Sequence, residues 1–315
     1  MKEIMISSQE EHQRLDKYLK KYFKAAGSSF LYKMLRKKNI TLNERKATGA
    51  EYLENGDLIQ VYFSDETFDK MRGLSQSNSE YEQLKSIPYD VKVIYEDDDI
   101  LVLDKPAGIL SQKAAEDDIS MNEKMLSYLI HSNQLTGEAF ETFHPSIANR
   151  LDRNTSGLLL AGKSLRGQQM LSKALRERTA EKYYQCIVKG HICEGMDIQG
   201  YLTKDEKSNK VSIDMLPSED GKKIITSYEP ICSNGTYTLL VVHLITGRTH
   251  QIRAHLASIG HPILGDPKYG DRKLNIKLQQ EFGITHQLLH AYRMELDDGR
   301  IFESPTPTLY NEVLK

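Results

Sequence analysis

The chain has 315 residues, of which 39% are hydrophobic and 27% charged, and its formal net charge is −2. This length fits one large core plus a small module, and no run approaches the roughly 18 apolar residues of a membrane helix. The N-terminus lacks the apolar stretch of a secretory signal, and Cys186, Cys193 and Cys232 show no disulfide or zinc-ribbon spacing. These features exclude a membrane protein and a secreted disulfide scaffold, and they predict a cytoplasmic enzyme of more than one domain.

Residues 1–64 are predicted to form a small α/β module. Leu15, Leu19 and Phe23 recur at four-residue spacing, which is typical of the apolar face of an amphipathic helix. A second short helix is predicted after Gly27, with Ser28 or Ser29 as its N-cap. The strands that complete the module are predicted at residues 40–43 and 58–63.

The basic residues of the chain are concentrated in this module. Between residues 14 and 46 there are eleven lysines and arginines against two acids, which gives a local charge of +9. Such a cluster attracts phosphate, although a charged helix can also be simply a solvated face. The predicted RNA-binding residues here are Arg14, Lys33, Arg36, Lys37, Lys38, Arg45 and Lys46.

The rest of the chain is predicted to be a linker followed by one large domain. Residues 65–88 are polar and rich in serine, which predicts a flexible linker. Residues 89–315 are strand-rich, with helices predicted at 122–132 and 165–176. The mostly polar segment 271–287 is predicted to be a surface insertion. The fold class is therefore α+β, with a mixed and mostly antiparallel sheet.

Within the large domain, Asp152 lies between Arg150 and Arg153, just ahead of the apolar residues 158–161. Nearby positive charge favours the ionised form of a carboxylic acid, so this residue can act as a nucleophile or as a base. For the tripeptide alone, a surface Arg–Asp salt bridge is the simpler interpretation.

The run from Asn149 to Gly157 resembles the His-Arg-Leu-Asp-x-x-Thr-Ser-Gly signature of the RluA-type pseudouridine synthases, which isomerise uridine in RNA. Asn149 stands where that family has histidine, which leaves its local contacts open. Further landmarks of the family follow in order over about residues 90 to 312, at 104–108, 182–190 (with Cys186 in place of a small residue), 246–255, 260–270 and 289–291. Residues 14–59 resemble the small RNA-binding module first named from a ribosomal small-subunit protein.

The resemblance implies a catalytic domain of the pseudouridine synthase type that needs no cofactor. Uridine isomerisation breaks the bond from ribose to N1 of uracil, turns the base and rejoins it through C5. It requires a carboxylate that attacks or removes a ribose proton, and then a base for the C5 proton. The resemblance implies that Asp152 is the essential carboxylate, and covalent addition and assisted elimination both remain open.

Two further catalytic residues are predicted. Tyr184 occupies the motif position, where a phenol can stack on the flipped uracil and present its oxygen near C5, whereas Tyr183 should face the other side of the strand. Arg253 lies off the apolar stripe of a helix predicted over 249–259. Its guanidinium is expected to form a forked pair with Asp152.

The remaining predicted RNA contacts are Arg150, Arg248 and His250. The resemblance implies that Arg150 helps to expel the target base and stacks in the vacated space. Arg248 and His250 flank the predicted helix start at Thr249, where free backbone N–H groups suit a phosphate or a base. His250, His255 and His261 are spaced too irregularly for a zinc site, so no metal is expected.

Two other classes of protein remain as alternatives. A catalytically silent RNA-binding protein would need the module but not the candidates Asp152, Tyr184 and Arg253. A glycosidase or nucleoside hydrolase would need two acids flanking the bond, and only Asp152 has a motif context. The protein is expected to be a monomer whose partner is RNA. The resemblance favours large-subunit ribosomal RNA, and transfer RNA is the alternative.

Overall fold

The computed structural model describes residues 1–8, 10–73, 77–205, 210–214, 216–217 and 220–315, without the side chains of residues 77–79, 204 and 210. This part of the chain divides into two compact units. The first unit comprises residues 1–101, 112–148 and 160–172. The second unit comprises residues 102–111, 149–159 and 173–315.

The first unit contains the N-terminal module and a set of helices that follow it in sequence. Its elements are β1 (Lys2–Met5), α1 (Leu15–Tyr22), α2 (Ser28–Arg36), β2 (Ile40–Leu42), β3 (Arg45–Lys46), β4 (Leu58–Val61), α3 (Asp65–Arg72), α4 (Ser77–Lys85), β5 (Lys92–Glu96), α5 (Met121–His131), α6 (Gly137–Thr142) and β7 (Ser146–Ile147). Three elements contribute to both units, namely β6 (Ile100–Lys105), β8 (Ser156–Gly162) and α7 (Leu165–Glu177).

The N-terminal module folds around the apolar stripe that the sequence predicts. Leu15, Leu19 and Phe23 are completely buried, and they belong to one hydrophobic cluster with residues of α2 and of the sheet. That sheet has the strand order β1–β4–β2–β3, with antiparallel pairing throughout. The edge strand β1 has no counterpart in the sequence prediction. Helix α2 begins after Gly27 without a side-chain cap, so neither Ser28 nor Ser29 is its N-cap.

The segment predicted to be a flexible linker is largely helical. Ser64 accepts a hydrogen bond from the backbone N of Thr67 and so caps α3. Phe68 is buried in the hydrophobic cluster of the module, where its ring centroid lies 5.4 Å from that of Phe23. Met71 packs against the same cluster. The linker prediction is wrong for α3, because two apolar residues in a polar sequence are enough to bury one face of this helix.

Arg72, the last residue of α3, forms an ion pair within the first unit. Its guanidinium donates two hydrogen bonds to Glu141 Oε2, at 3.0 and 2.6 Å. The same group lies over the ring of Tyr22, 4.6 Å from the centroid. Thr142 also donates a short hydrogen bond to Glu10. Helices α3 and α6 are therefore joined to the module by charge and packing.

The second unit is built on a large sheet. Its remaining elements are β9 (Glu181–Lys189), β10 (Met196–Asp205), β11 (Lys210–Asp214), β12 (Lys222–Ser233), β13 (Tyr237–His243), α8 (Gln251–Ser258), α9 (Arg272–Phe282), β14 (Leu289–Glu295), β15 (Ile301–Glu303) and α10 (Thr308–Leu314). The strand order is β11–β10–β12–β13–β9–β14–β8–β6, with β15 paired to β14. In this order, each pair of neighbouring strands from β11 through to β14 is antiparallel, whereas β14 and β8 are parallel.

The segment 271–287, predicted as a surface insertion, instead contributes to the core of the second unit. Asp271 caps α9 by accepting hydrogen bonds from the backbone N of Lys273 and Leu274. Leu278 is completely buried and Ile284 nearly so, and both belong to a cluster that includes residues of β9, β13 and α10. Leu274 and Phe282 pack against the same cluster, so apolar residues at four-residue spacing anchor the helix. No helix in the described part of the chain is long and apolar enough to cross a bilayer.

Candidate active site

Asp152 lies in the loop that precedes β8, and a buried lysine holds that loop in place. The ammonium of Lys105, at the end of β6, donates to the carbonyl oxygens of Pro106, Ile109 and Arg153 at 2.9, 2.8 and 2.8 Å. Lys105 is completely buried. Burial lowers the pKa of its side chain to about 8, against the opposing charge of Asp152. The ammonium of Lys105 thus fixes the carbonyl of Arg153, the residue that follows Asp152.

Two further contacts define the course of the loop. The hydroxyl of Ser111 accepts a hydrogen bond from the backbone N of Leu151 at 3.0 Å and donates to the carbonyl of the same residue at 2.9 Å. The backbone N of Thr155 donates to the carbonyl of Asp152 at 3.0 Å, which closes a turn. The backbone on both sides of the carboxylate is therefore ordered by hydrogen bonds.

Gly157 permits the start of β8 to approach β14. Its φ angle is +110°, and a Cβ built at this position would lie 2.2 Å from the carbonyl oxygen of Ala291. Ala291 is its partner in the parallel pair. Only glycine satisfies both constraints, which gives a physical reason for the glycine in the Thr-Ser-Gly part of the motif.

Arg253 contacts Asp152, as predicted, but the forked pair is made with another residue. Nη1 of Arg253 donates to Oδ2 of Asp152 at 2.8 Å. The fork of Nε and Nη2 binds Asp266 at 2.7 and 2.9 Å. The prediction of a forked pair with Asp152 is therefore wrong in its geometry. Arg253 is buried, with its side chain only 6% exposed, and it connects one buried carboxylate to one that is 27% exposed.

Asp266 is the anchor of this network. Its side chain is inaccessible to solvent, and it also accepts hydrogen bonds from the backbone N of Lys268 and Tyr269 at 2.8 and 3.1 Å. Burial opposes ionisation, but the hydrogen bonds and charge of Arg253 hold the pKa of Asp266 below its ordinary value. Four donors thus keep this carboxylate charged, and Arg253 is oriented by it.

The two oxygens of the Asp152 carboxylate have different surroundings. Oδ2 accepts the hydrogen bond from Arg253 and lies 3.9 Å from Nε2 of His250. Oδ1 accepts no hydrogen bond from any residue in the described part of the chain. One oxygen is therefore held by the protein, while the other is available to a substrate.

Tyr184 lies on β9 between Val242 of β13 and Ala291 of β14. It is 7% exposed, and its hydroxyl has no hydrogen-bond partner among the described residues. Burial, with a smaller contribution from the charge of Asp152, raises the pKa of the phenol well above 10. Tyr184 is therefore neutral at pH 7. Tyr183 faces the other way, stacked on His243 with centroids 4.7 Å apart, as the strand alternation predicts.

His250 and Arg248 do not flank a helix start at Thr249, because α8 begins at Gln251. His250 is the N-cap and has a φ of +54°, so its backbone is left-handed. Its ring is 9% exposed and faces Asp152 and Tyr269. The side chain of Arg248 is exposed, while its backbone N donates to Oε1 of Gln251 at 3.1 Å. Arg248 thus remains accessible to RNA, and His250 is directed inwards.

The residues beside Asp152 in sequence differ in their surroundings. Arg150 is exposed and forms no ion pair with any described residue, which leaves its guanidinium accessible. Asn149 is half-buried, and its amide donates to the carbonyl of Leu158 at 3.2 Å. The residue that departs from the family signature therefore has a contact with the backbone of β8.

All seven predicted RNA-binding residues of the N-terminal module are exposed. Arg14 differs from the other six because its guanidinium is already paired: it forms a forked pair with Asp16 at 3.1 and 2.9 Å. Tyr32 donates to the same carboxylate at 2.7 Å. The other six predicted residues are Lys33, Arg36, Lys37, Lys38, Arg45 and Lys46.

The sequence analysis did not identify Lys105, Asp266 or Tyr269 as functional residues, although all three lie within motif segments. A signal for Asp266 is present in the run 260–266, where an acid follows glycine directly at the end of an apolar stretch. Among the residues that the structure describes, no three His, Cys, Asp or Glu side chains are grouped so that they could hold a metal ion.

Comparisons with known proteins identify the family of this chain. The sequence model described as RNA pseudouridylate synthase matches residues 99–258. An uncharacterized RNA pseudouridine synthase of Mycoplasma genitalium is 30% identical over 98% of this chain and 92% of its own length. The ribosomal large subunit pseudouridine synthase C of Pasteurella multocida is 30% identical over 96% and 88%. The corresponding synthase D of Borreliella burgdorferi is 30% identical over 91% and 83%.

Solved structures are similar in fold. The human RNA pseudouridylate synthase domain containing 4 superposes with a TM-score of 0.58 over 76% of this chain and 95% of its own, at 19% identity. The human RNA pseudouridylate synthase domain containing 1 gives a TM-score of 0.56 over 72% and 87%, at 22% identity. These similarities confirm the predicted fold class.

Proposed function

Because the chain belongs to the RNA pseudouridylate synthase family and is therefore an isomerase that converts uridine to pseudouridine in RNA, we propose that its substrate is large-subunit ribosomal RNA and that Asp152 is the catalytic carboxylate. The names of two relatives that cover most of this chain, the synthases C and D, support this substrate. Transfer RNA is the alternative.

The observation that carries the catalytic assignment is the unequal environment of the two Asp152 oxygens. Arg253 holds Oδ2 at 2.8 Å, which fixes the carboxylate and stabilises its charge. Oδ1 then faces the substrate and either adds to C1′ of the ribose or removes a ribose proton. In both cases the bond from C1′ to N1 breaks, the base turns, and a bond forms from C1′ to C5. The C5 proton is lost and N1 takes up a proton, while the bond from Oδ1 to C1′ breaks again or the ribose proton is returned. The product is an isomer of the substrate.

Tyr184 contributes in this proposal as a neutral aromatic surface. Tyr184 lies on the same sheet as the motif strand β8, and its hydroxyl has no hydrogen-bond partner among the described residues. Its ring therefore stacks on the extruded uracil, and its hydroxyl forms a hydrogen bond to the base. A phenol with a raised pKa is a poor acceptor for the C5 proton. The raised pKa therefore favours stacking over proton removal as the role of Tyr184.

Arg150 is proposed to fill the space that the extruded base leaves. Extrusion costs roughly a few kcal/mol of stacking and pairing, and an exposed guanidinium without an ion-pair partner is available to stack in the gap. The exposed cations of the N-terminal module, together with Arg248, are proposed to contact phosphates.

The experiment that tests the substrate is a map of pseudouridines in cells with and without this gene, made by carbodiimide treatment and reverse-transcription stops. Stops in large-subunit ribosomal RNA should disappear without the gene and return with the wild-type gene. They should also return with Asp298→Asn, which alters an exposed Arg–Asp pair, but not with Asp152→Asn. Stops lost only from transfer RNA would replace the substrate, and an unchanged map would favour the silent RNA-binding protein.

A further inference from the structure

His250 belongs to the same side-chain cluster as Asp152. Its Nδ1 lies 3.0 Å from the hydroxyl of Tyr269, and its Nε2 lies 3.9 Å from Oδ2 of Asp152. Only 9% of its side chain is exposed. A residue in this position is poorly placed to contact an RNA phosphate, and its direct neighbour is the carboxylate to which the reaction is assigned.

The hydrogen bonds around Tyr269 favour one tautomer of His250. The backbone N of Val211 donates to the Tyr269 hydroxyl at 3.0 Å, so this oxygen is already an acceptor. Its own single proton is then free to be donated to Nδ1 of His250. A neutral imidazole has one donor and one acceptor nitrogen. With Nδ1 as the acceptor, the N–H group is at Nε2 and faces Asp152.

The surroundings of the ring, and above all its burial, favour this neutral form. Burial is the main cause that lowers the pKa of His250, and the positive charges of Arg253 and Lys268 act in the same direction. The negative charges of Asp152 and Asp266 oppose them, but the net shift is downwards. At pH 7 the ring is therefore neutral, and it presents an N–H dipole rather than a full charge to Asp152.

The backbone of His250 is also unusual. A φ of +54° is left-handed, a conformation that is unfavourable for most residues with a side chain and that clusters at functional sites. The carbonyl of His250 accepts a helical hydrogen bond from Ala254 at 3.0 Å. The strained backbone thus directs the imidazole towards Asp152 at the start of α8.

We propose that His250 is a positioning residue for uridine isomerisation, an inference that rests on the proposed role of Asp152. The Nε2–H of the neutral ring acts with Arg253 to hold Oδ2, so that Oδ1 stays directed at the ribose. Tyr269 keeps the ring in the tautomer that this requires. The separation of 3.9 Å is too long for a hydrogen bond, and hydrogen bonds in unliganded active sites often shorten when the substrate binds.

The test compares His250→Asn, Tyr269→Phe and the double variant in single-turnover assays at saturating enzyme, with a tritium label at uracil C5. Asparagine tolerates the left-handed backbone but cannot place an N–H group near Asp152. The rate constant of His250→Asn should fall by about tenfold or more, while the dissociation constant for RNA stays unchanged. His191→Gln, an exposed histidine of the same unit, should behave like the wild type.

The double variant separates positioning from a purely structural role. Tyr269→Phe leaves the backbone N of Val211 without its acceptor whether or not His250 is present, so a structural defect would lower the rate equally in both backgrounds. Positioning through His250 predicts that Tyr269→Phe lowers the rate in the wild-type background but not in His250→Asn. Equal losses would overturn the inference.

Two other outcomes would also overturn it. If His250→Asn weakened RNA binding without changing the saturated rate constant, His250 would be an RNA contact. If Asp152→Asn were inactive while His250→Asn kept the full rate constant, the inference would fail and the proposed function would stand. Full activity of Asp152→Asn would instead reject the proposed function itself.

Discussion

The replacement of Asp266 by asparagine is expected to damage both the stability and the activity of this protein. Asparagine has nearly the same size, but it exchanges one acceptor oxygen for an amide that donates. One arm of the fork from Arg253, now at 2.7 and 2.9 Å, would then face another donor. The guanidinium would also lose a buried counter-charge in a position where its side chain is only 6% exposed.

The size of the effect follows from this burial. Removing one partner of a buried ion pair costs about 3–5 kcal/mol of unfolding free energy. The matched control is Asp298→Asn, which removes the same group from a contact of 2.6 Å with Arg300. Asp298 is 39% exposed, and exposed pairs contribute only about 0–1 kcal/mol. The difference between the two variants therefore measures the contribution of burial.

Urea denaturation followed by far-ultraviolet circular dichroism is a suitable assay, since the chain has no tryptophan. Hydrogen exchange in α8 should show whether the loss is centred on Arg253. Because Arg253 also orients Asp152, the single-turnover rate constant of Asp266→Asn should fall by about tenfold or more, and that of Asp298→Asn should not. Equal losses of stability in the two variants would refute the assignment of Asp266 as the anchor.

Three further predictions follow from buried positions elsewhere. Gly157→Ala should lower the unfolding free energy by at least about 3 kcal/mol, because its Cβ would lie 2.2 Å from the carbonyl oxygen of Ala291; an unchanged thermal melt would contradict this. Burial lowers the pKa of His255 to about 4 from an ordinary 6.5, so the unfolded chain binds a proton that the folded chain does not, and stability should fall between pH 6.5 and pH 4. The loss should reach about 3 kcal/mol at the acid end, and His255→Asn should flatten that part of the stability curve; an unaltered slope would count against it. Phe68→Ala should cost about 3–5 kcal/mol in denaturant melts, whereas a loss below about 1 kcal/mol would indicate that α3 is a linker after all.

Where apolar residues recur with a clear period, the sequence was sufficient to predict the fold. The stripe of Leu15, Leu19 and Phe23 corresponds to α1, and the helices predicted at 122–132 and 165–176 correspond to α5 and α7 within a residue at each end. In each of these helices the local pattern and the tertiary burial agree.

The errors arose where a few apolar residues anchor an otherwise polar helix. In α9, Leu274, Leu278 and Phe282 recur at four-residue spacing and pack in one cluster, so a helical period was present in the sequence but was overlooked among polar residues. In α3, Phe68 and Met71 pack against the module, and two apolar residues are too few to establish a period. Capping by Ser64 and Asp271 supports these helices. Such side-chain caps are visible in the sequence only after the helix start is known.

In the candidate site, the motifs identified which residues meet, but the sequence did not determine how they are paired. Arg253 was predicted to bind Asp152, and it does so with one nitrogen. Its fork is committed to Asp266, 13 residues further along the chain, and that pairing depends on the fold of the loop between α8 and α9. The inward direction of His250 depends on its left-handed backbone. Histidine adopts this conformation only occasionally, so the residue type alone does not predict it.

The central claim, that Asp152 is the carboxylate of uridine isomerisation, is tested most directly by tritium release from uracil C5 in a large-subunit ribosomal RNA transcript under single-turnover conditions. Wild-type protein should release tritium, and Asp152→Asn should bind the transcript with the same affinity but release none. Tritium release by Asp152→Asn at the wild-type rate, or the appearance of free uracil as the product of the wild-type protein, would contradict the account.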